Sequence, residues 1–205
     1  PIVLIATIFA VIVVTAEIAL HMEMALQTVS MVPGVTGQFI FREIAIIIPS
    51  LLLVAKTGAG IAAEVSSMKV TEQIDALKLL RIDPVEYLVF PRMIASIIST
   101  VCLTMMSLIL SIASAMAYSK INFGVQQMEY ILLLKPYLGQ MDLICSICKS
   151  AVFGAVVPVV ACFYGFQCKG GADGVGKSTT ASVVTSTVVV IVLDFVLTYL
   201  FSLLI

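Results

Sequence analysis

Residues 93 to 118 (MIASIISTVCLTMMSLILSIASAMAY) and 179 to 205 (TTASVVTSTVVVIVLDFVLTYLFSLLI) are apolar runs with at most one charge apiece. Each exceeds the roughly 20 residues that carry a helix across a bilayer core. A further apolar run opens the chain at residues 1 to 16 (PIVLIATIFAVIVVTA). Hydrocarbon offers backbone groups no hydrogen-bond partner, so a spanning segment is a helix or a strand of a closed barrel. These uninterrupted runs lack the alternation of a barrel strand. The expected fold class is therefore all-α integral membrane, a polytopic bundle of transmembrane helices.

Composition agrees, with 61% hydrophobic and 11% charged residues against about a quarter charged in a soluble domain. A net charge of -1 without a basic block argues against a nucleic-acid partner. The cysteines at 102, 145, 148, 162 and 168 fall mostly in apolar stretches and read as small packing residues. Cys145-Ser-Ile-Cys148 has redox-pair spacing but no βαβ context around it. His21 is the single histidine, which leaves no credible Ser/His/Asp set and too few ligands for a metal site. Neither a cofactor nor a catalytic residue is expected.

The pattern divides into five spans, at about 1–25, 39–63, 93–118, 142–165 and 179–205. Loops are expected at 26–38, around Pro33-Gly34, and at 119–141, with a charged segment at 64–92 and a glycine-rich turn at 166–178. Lys69, Lys78, Arg81, Arg92, Lys169 and Lys177 fall on the side that carries 64–92 and 166–178. Lys120 and Lys135 fall on the other, with Arg42 near its boundary. Positive charge favours the cytoplasm, which places 64–92 there. Pro49 and Pro158 are expected to kink spans two and four. Gly58, Ala59, Gly60, Ala62 and Ala63 suit a closely packed helix seam.

The stretch 171-GADGVGKS-178 matches the phosphate-cradling pattern G-x-x-x-x-G-K-[ST] at its fixed positions. That pattern needs a preceding strand and a nucleotide-binding sheet. Here a membrane span lies on either side, so the stretch is expected to be a tight turn whose Ser178, Thr179 or Thr180 caps span five.

Residues 64–92 read EVSSMKVTEQIDALKLLRIDPVEYLVFPR. Thr71 can cap a short helix from about 72 to 82. Glu72 and Asp75 in its first turn and Lys78 and Arg81 in its last would complement the helix dipole. Val70, Ile74 and Leu77 would share one face, and Asp83-Pro84 would end the helix. Such a helix is either a connector lying on the headgroups or a docking element for a cytoplasmic partner.

This segment, from Ala62-Ala63-Glu64 to Phe90-Pro91-Arg92, resembles the signature of MlaE/YrbE-type permeases, membrane subunits of ABC transporters that move lipid between bacterial membranes. The resemblance continues in Arg42-Glu43, in M-D-L and K-S-A-V-F-G over 141–154, in G-V-G-K-S-T-T at 174–180 and in L-D-F-V-L-T at 193–198. It implies one permease transmembrane domain over residues 1–205, in the bacterial inner (cytoplasmic) membrane. It further implies a homodimer, separate cytoplasmic ABC ATPase subunits and a periplasmic lipid-binding MCE-domain protein, with phospholipid or a related lipid as substrate. Thr71, Glu72, Gln73, Asp75, Leu77 and Lys78 would then lie in the coupling helix that meets the ATPase. Such families carry an interfacial helix before the first span, and the chain's start at Pro1 is expected to lie beyond it. Where the family tends to read R-E-L-G-P, this chain has Arg42-Glu43-Ile44-Ala45-Ile46, and Ala55-Lys56 replaces G-R.

Ionisable groups at membrane depth face a cavity or a partner. Glu17 and His21, spaced i, i+4, are lipid-cavity candidates and can equally form a local pair near the outer interface. Asp194 in span five should be protonated or hydrogen-bonded to another span. Lys56 and Glu64 at the inner end of span two would anchor that end or pair across a dimer. The alternative function, a proton-coupled secondary carrier, would use Glu17, His21 and Asp194.

Overall fold

The computed structural model describes residues 2–26 and 31–203, and every regular element among them is helical. In chain order these are α1 (Ile2–Leu26), α2 (Val32–Phe39), a π turn (Ile40–Ile44), α3 (Ala45–Leu53), a second π turn (Val54–Gly58), α4 (Ala59–Val70) and α5 (Gln73–Leu79). A third π turn (Val85–Val89) leads into α6 (Phe90–Phe123). The chain continues through α7 (Gln127–Leu134), a 3-10 turn (Lys135–Tyr137), α8 (Gln140–Phe166) and α9 (Gly171–Ser202). Five stretches of the described residues are long and apolar enough to cross a membrane: Ile2–Met24, Val32–Val70, Val85–Phe123, Gln140–Phe166 and Gly171–Ser202. The all-α, five-span expectation holds.

Several boundaries differ from the sequence reading, each for a physical reason. The loop expected at 26–38 is helical from Val32 onward, while residues 27–30 lie outside the described ones. Pro33 sits in the first turn of α2, where its missing N–H would have had no helical partner anyway. Span two is longer than expected because α2 joins it from Val32 and α4 carries it on to Val70, with π turns on either side of the Pro49 helix.

The glycine-rich stretch is the clearest correction. Only residues 167–170 break the helices, and Gly171 to Ser178 form the first turns of α9. Gly170 and Gly171, at φ 92 and 69, make the reversal. Thr179 and Thr180 do not cap: their hydroxyls donate back to the Val175 and Gly176 carbonyls at 2.8 and 3.0 Å. Asp173 in the first turn pairs with Lys177 at 2.7 Å, which suits the helix dipole.

The chain forms two compact units. One comprises Pro1–Pro49, Cys102–Cys148 and Phe201–Ile205. Its core gathers Val11 of α1, Ile40 and Ala45, Leu108 and Ala115 of α6, and Tyr130 and Leu134 of α7. The other comprises Ser50–Val101 and Lys149–Leu200. Its core joins Ile61, Ala62 and Val65 of α4 to Ile74 of α5, Leu88, and Ala161 and Cys162 of α8. Here α4 and α8 meet closely: a side chain at Gly165 would begin 2.7 Å from Val65 Cβ. Such approach through small residues is how helices associate where lipid supplies no hydrophobic drive. Tyr164 of α8 and Thr185 of α9 share a hydrogen bond of 2.9 Å.

Candidate functional site

The charged segment is a compact, self-braced structure between two spans. Helix α5 covers Gln73–Leu79, shorter than the expected 72–82, and Thr71 is not its N-cap. The Thr71 backbone N–H and hydroxyl both donate to the Ser67 carbonyl, at 3.0 and 2.9 Å, closing the end of α4 instead. Glu72 is the N-cap residue, in the left-handed region at φ 61 and without a side-chain cap. At the other end Arg81 has φ 60. The Arg81 N–H bonds the Lys78 carbonyl and the Ile82 N–H bonds the Leu77 carbonyl, a Schellman closure. The helix is thus stopped before Asp83-Pro84. Asp83 Oδ1 accepts the Val85 N–H at 2.8 Å and starts the following turn.

Helix α5 is held from below and from the side. Ile74 is buried, and Leu77 packs against the same core. Asp75 accepts from Lys69 of α4 at 3.0 Å and from Lys78 at 3.4 Å. The Lys69 hydrogen bond holds the Asp75 carboxyl below its ordinary range, against a smaller opposing push from desolvation and with further help from Lys78. Glu72, Gln73 and Lys78 are exposed. Leu79 and Leu80 beside them are 87% and 70% exposed. Helix α5 and the residue that follows it therefore leave acidic, basic and large apolar side chains exposed close together in sequence. At the stem of this segment Glu64 of α4 and Arg92 of α6 form an ion pair of 2.8 Å. Lys56 is exposed at the second π turn.

Further pairs lie within the spans. Lys149 of α8 is fully buried. Its Nζ donates to Asp194 Oδ1 of α9 at 2.9 Å and to Thr198 Oγ1 at 2.6 Å. The expectation that Asp194 bonds another span is met, by an ammonium. In the other unit Arg42 Nε donates to Asp142 Oδ1 at 2.7 Å, and Asp142 Oδ2 accepts the Gly139 N–H at 2.9 Å. Ser146 donates to the Phe41 carbonyl of the first π turn at 2.8 Å. Glu17 and His21 are both exposed on α1, and no hydrogen bond joins them among the described residues. No group of His, Cys, Asp and Glu suited to a metal occurs among the described residues.

The family model described as "Permease MlaE" matches residues 1–200. The chain belongs to the MlaE permease family. A relative from Rickettsia felis named "Probable ABC transporter permease protein" is 36% identical over 78% of this chain and 62% of its own length. A Synechocystis protein, also named a probable ABC transporter permease protein, is 35% identical over 82% of this chain and 64% of its own. "Protein TRIGALACTOSYLDIACYLGLYCEROL 1, chloroplastic" of Arabidopsis thaliana is 37% identical over 82% of this chain and 48% of its own. The chain thus spans less than two thirds of the length of these relatives.

In this MlaE-family chain, sequence reasoning placed Asp194, Glu64 and Arg42 but did not find what each one pairs with. Lys149 and Asp142 stand in K-S-A-V-F-G and M-D-L, and Arg92 closes the charged segment. A charge inside an otherwise apolar stretch was the available signal for Lys149, since such a group is expensive without a partner.

Proposed function

We propose that this chain is the non-catalytic permease subunit of an ABC transporter that moves phospholipid or a related lipid between membranes. In this reading it is a homodimer in the bacterial inner membrane, paired with cytoplasmic ATPase subunits and a periplasmic MCE-domain lipid-binding protein. The observation that carries the reading is the braced α5 helix. A short helix fixed by Ile74, by the Lys69–Asp75 pair and by its Schellman closure can transmit displacement to α4 and α6, where a loose loop would absorb it. The family match and the names of the relatives support the ABC assignment. A relative named for a glycerolipid supports lipid as the substrate class.

Thr71, Glu72, Gln73, Asp75, Leu77 and Lys78 form the coupling element, with Glu72, Gln73, Lys78 and the neighbouring Leu79 and Leu80 as its outward surface. Asp194 and Glu64 hold helices together through Lys149 and Arg92. Lys56 lies on the exposed inner part of span two, and Glu17 and His21 remain candidates for the lipid pathway.

The test is affinity purification of the full-length chain from native membranes. The ATPase should co-purify, and lipid extracted from the complex should be identifiable by mass spectrometry. Reversing the charge of Glu72 should lower ATP turnover by the complex. Undiminished turnover and assembly in the Glu72→Lys variant would remove the coupling assignment.

A further inference from the structure

The coupling segment begins and ends on two spans, and an ion pair joins them at its stem. Glu64 lies on α4, nearly two turns before that helix ends at Val70. Arg92 lies in the first turn of α6, just after the segment returns. Their 2.8 Å pair joins the two spans directly. Within the loop it closes, Lys69–Asp75 ties α5 to α4, while Ile74 and Leu88 bury themselves in one core with Val65 of α4 and Ala161 of α8.

This pair is a poor device for stability alone. The Glu64 side chain is 62% exposed and that of Arg92 20%, and ion pairs this open contribute between nothing and about 1 kcal/mol. A guanidinium held in that position fixes the spacing of α4 and α6 by its planar, rigid fork, which the flexible ammonium of lysine would not do.

We infer that Glu64–Arg92 is a positioning clamp that closes the stem of the coupling segment, so that movement imposed on α5 displaces α4 and α6 as one body. The inference rests on the coupling role proposed above. Neither residue touches substrate; both act through the helix they hold. Without the clamp, force applied at α5 spreads the two spans apart instead of moving them, and ATP is hydrolysed with less lipid moved.

The experiment uses the full-length chain with its ATPase subunits in liposomes carrying a fluorescent phospholipid, and reads lipid transferred per ATP hydrolysed. Glu64→Arg and Arg92→Glu should each keep hydrolysis but lower that ratio about fivefold or more, the range of an ordinary coupling free energy. The double exchange should restore it. An unchanged ratio in both single variants would overturn the clamp. Should the reversals fail to assemble, Glu64→Gln and Arg92→Lys are measured instead, with the same direction expected and the same unchanged ratio as the contrary result. A second readout does not depend on transport: the distance distribution between nitroxides on Ala76 of α5 and Ile98 of α6. It should be narrow in the wild type and broaden in Arg92→Lys, and an unaltered distribution contradicts the clamp. A wild-type complex without ATP-driven transfer would refute the transporter reading, while the nitroxide distances still decide the clamp.

Discussion

Lys149 Nζ lies 2.9 Å from Asp194 Oδ1, with Lys149 fully buried and the Asp194 side chain 10% exposed. The pair pins α8 to α9 within the spans, and Thr198 takes a further ammonium hydrogen at 2.6 Å. Taking one partner away removes the opposite charge that this pair supplies to the other inside the spans. Lys149→Met alone should therefore destabilise the protein by about 3–5 kcal/mol, whereas Lys149→Met with Asp194→Leu should recover most of that loss. Thermal unfolding of the detergent-solubilised chain, followed by circular dichroism, checks both variants. Equal losses in the single and double variants would show that the ion pair is not what holds these helices.

Asp142 does two jobs at the start of α8, binding Arg42 through one oxygen and the Gly139 N–H through the other. Asp142→Asn keeps the shape and weakens both contacts. A loss of about 1–3 kcal/mol is expected, as for a buried group left partly unsatisfied. Asp142→Ala should lose more, because both of these contacts then go. Denaturant titration of the two variants ranks them.

The Asp75 carboxyl titrates below its ordinary range because Lys69 hydrogen-bonds it. A depressed folded-state pKa means that the contribution is present above the unfolded value of about 4 and fades as pH falls through the lower folded value. The bracing of α5 should therefore be constant from pH 6 to 8 and weaken only in strong acid. Hydrogen exchange of the α5 amides, corrected for intrinsic rates, tests this across that range. Protection that changes between pH 6 and 8 would mean that another group controls the helix.

Lys177 is exposed and pairs with Asp173 one helical turn away. Because 171–178 is helical, the N–H groups that a phosphate-cradling loop would turn toward a nucleotide from Val175 onward are directed along the α9 axis into its own hydrogen-bond ladder. The isolated chain should show no saturable binding of a fluorescent ATP analogue, and Lys177→Ala should change nothing. Binding abolished by Lys177→Ala would reverse that reading.

What was legible in the sequence was set by local chemistry. The apolar runs around residues 93–118 and 179–205 specify spanning helices by length and lack of charge, and the structure carries them at α6 and α9. Helix α5 was legible in position because charge order and the Ile74–Leu77 face agreed, but its ends were not. Thr71 spends its hydroxyl on α4, and Arg81 takes a conformation usually left to glycine. The glycine stretch misled because intrinsic propensity argues for a turn, while continuity with the apolar helix that follows keeps the backbone helical. The pairings Lys149–Asp194, Arg42–Asp142 and Glu64–Arg92 were invisible because each joins residues distant along the chain.

Lipid movement in liposomes holding the full-length chain, with and without its ATPase subunits, under either ATP or an imposed proton gradient, decides what drives transport. Transfer should occur only when the ATPase subunits and hydrolysable ATP are both present. Transfer driven by the proton gradient in the absence of any ATPase would contradict that expectation and return the function to a secondary carrier.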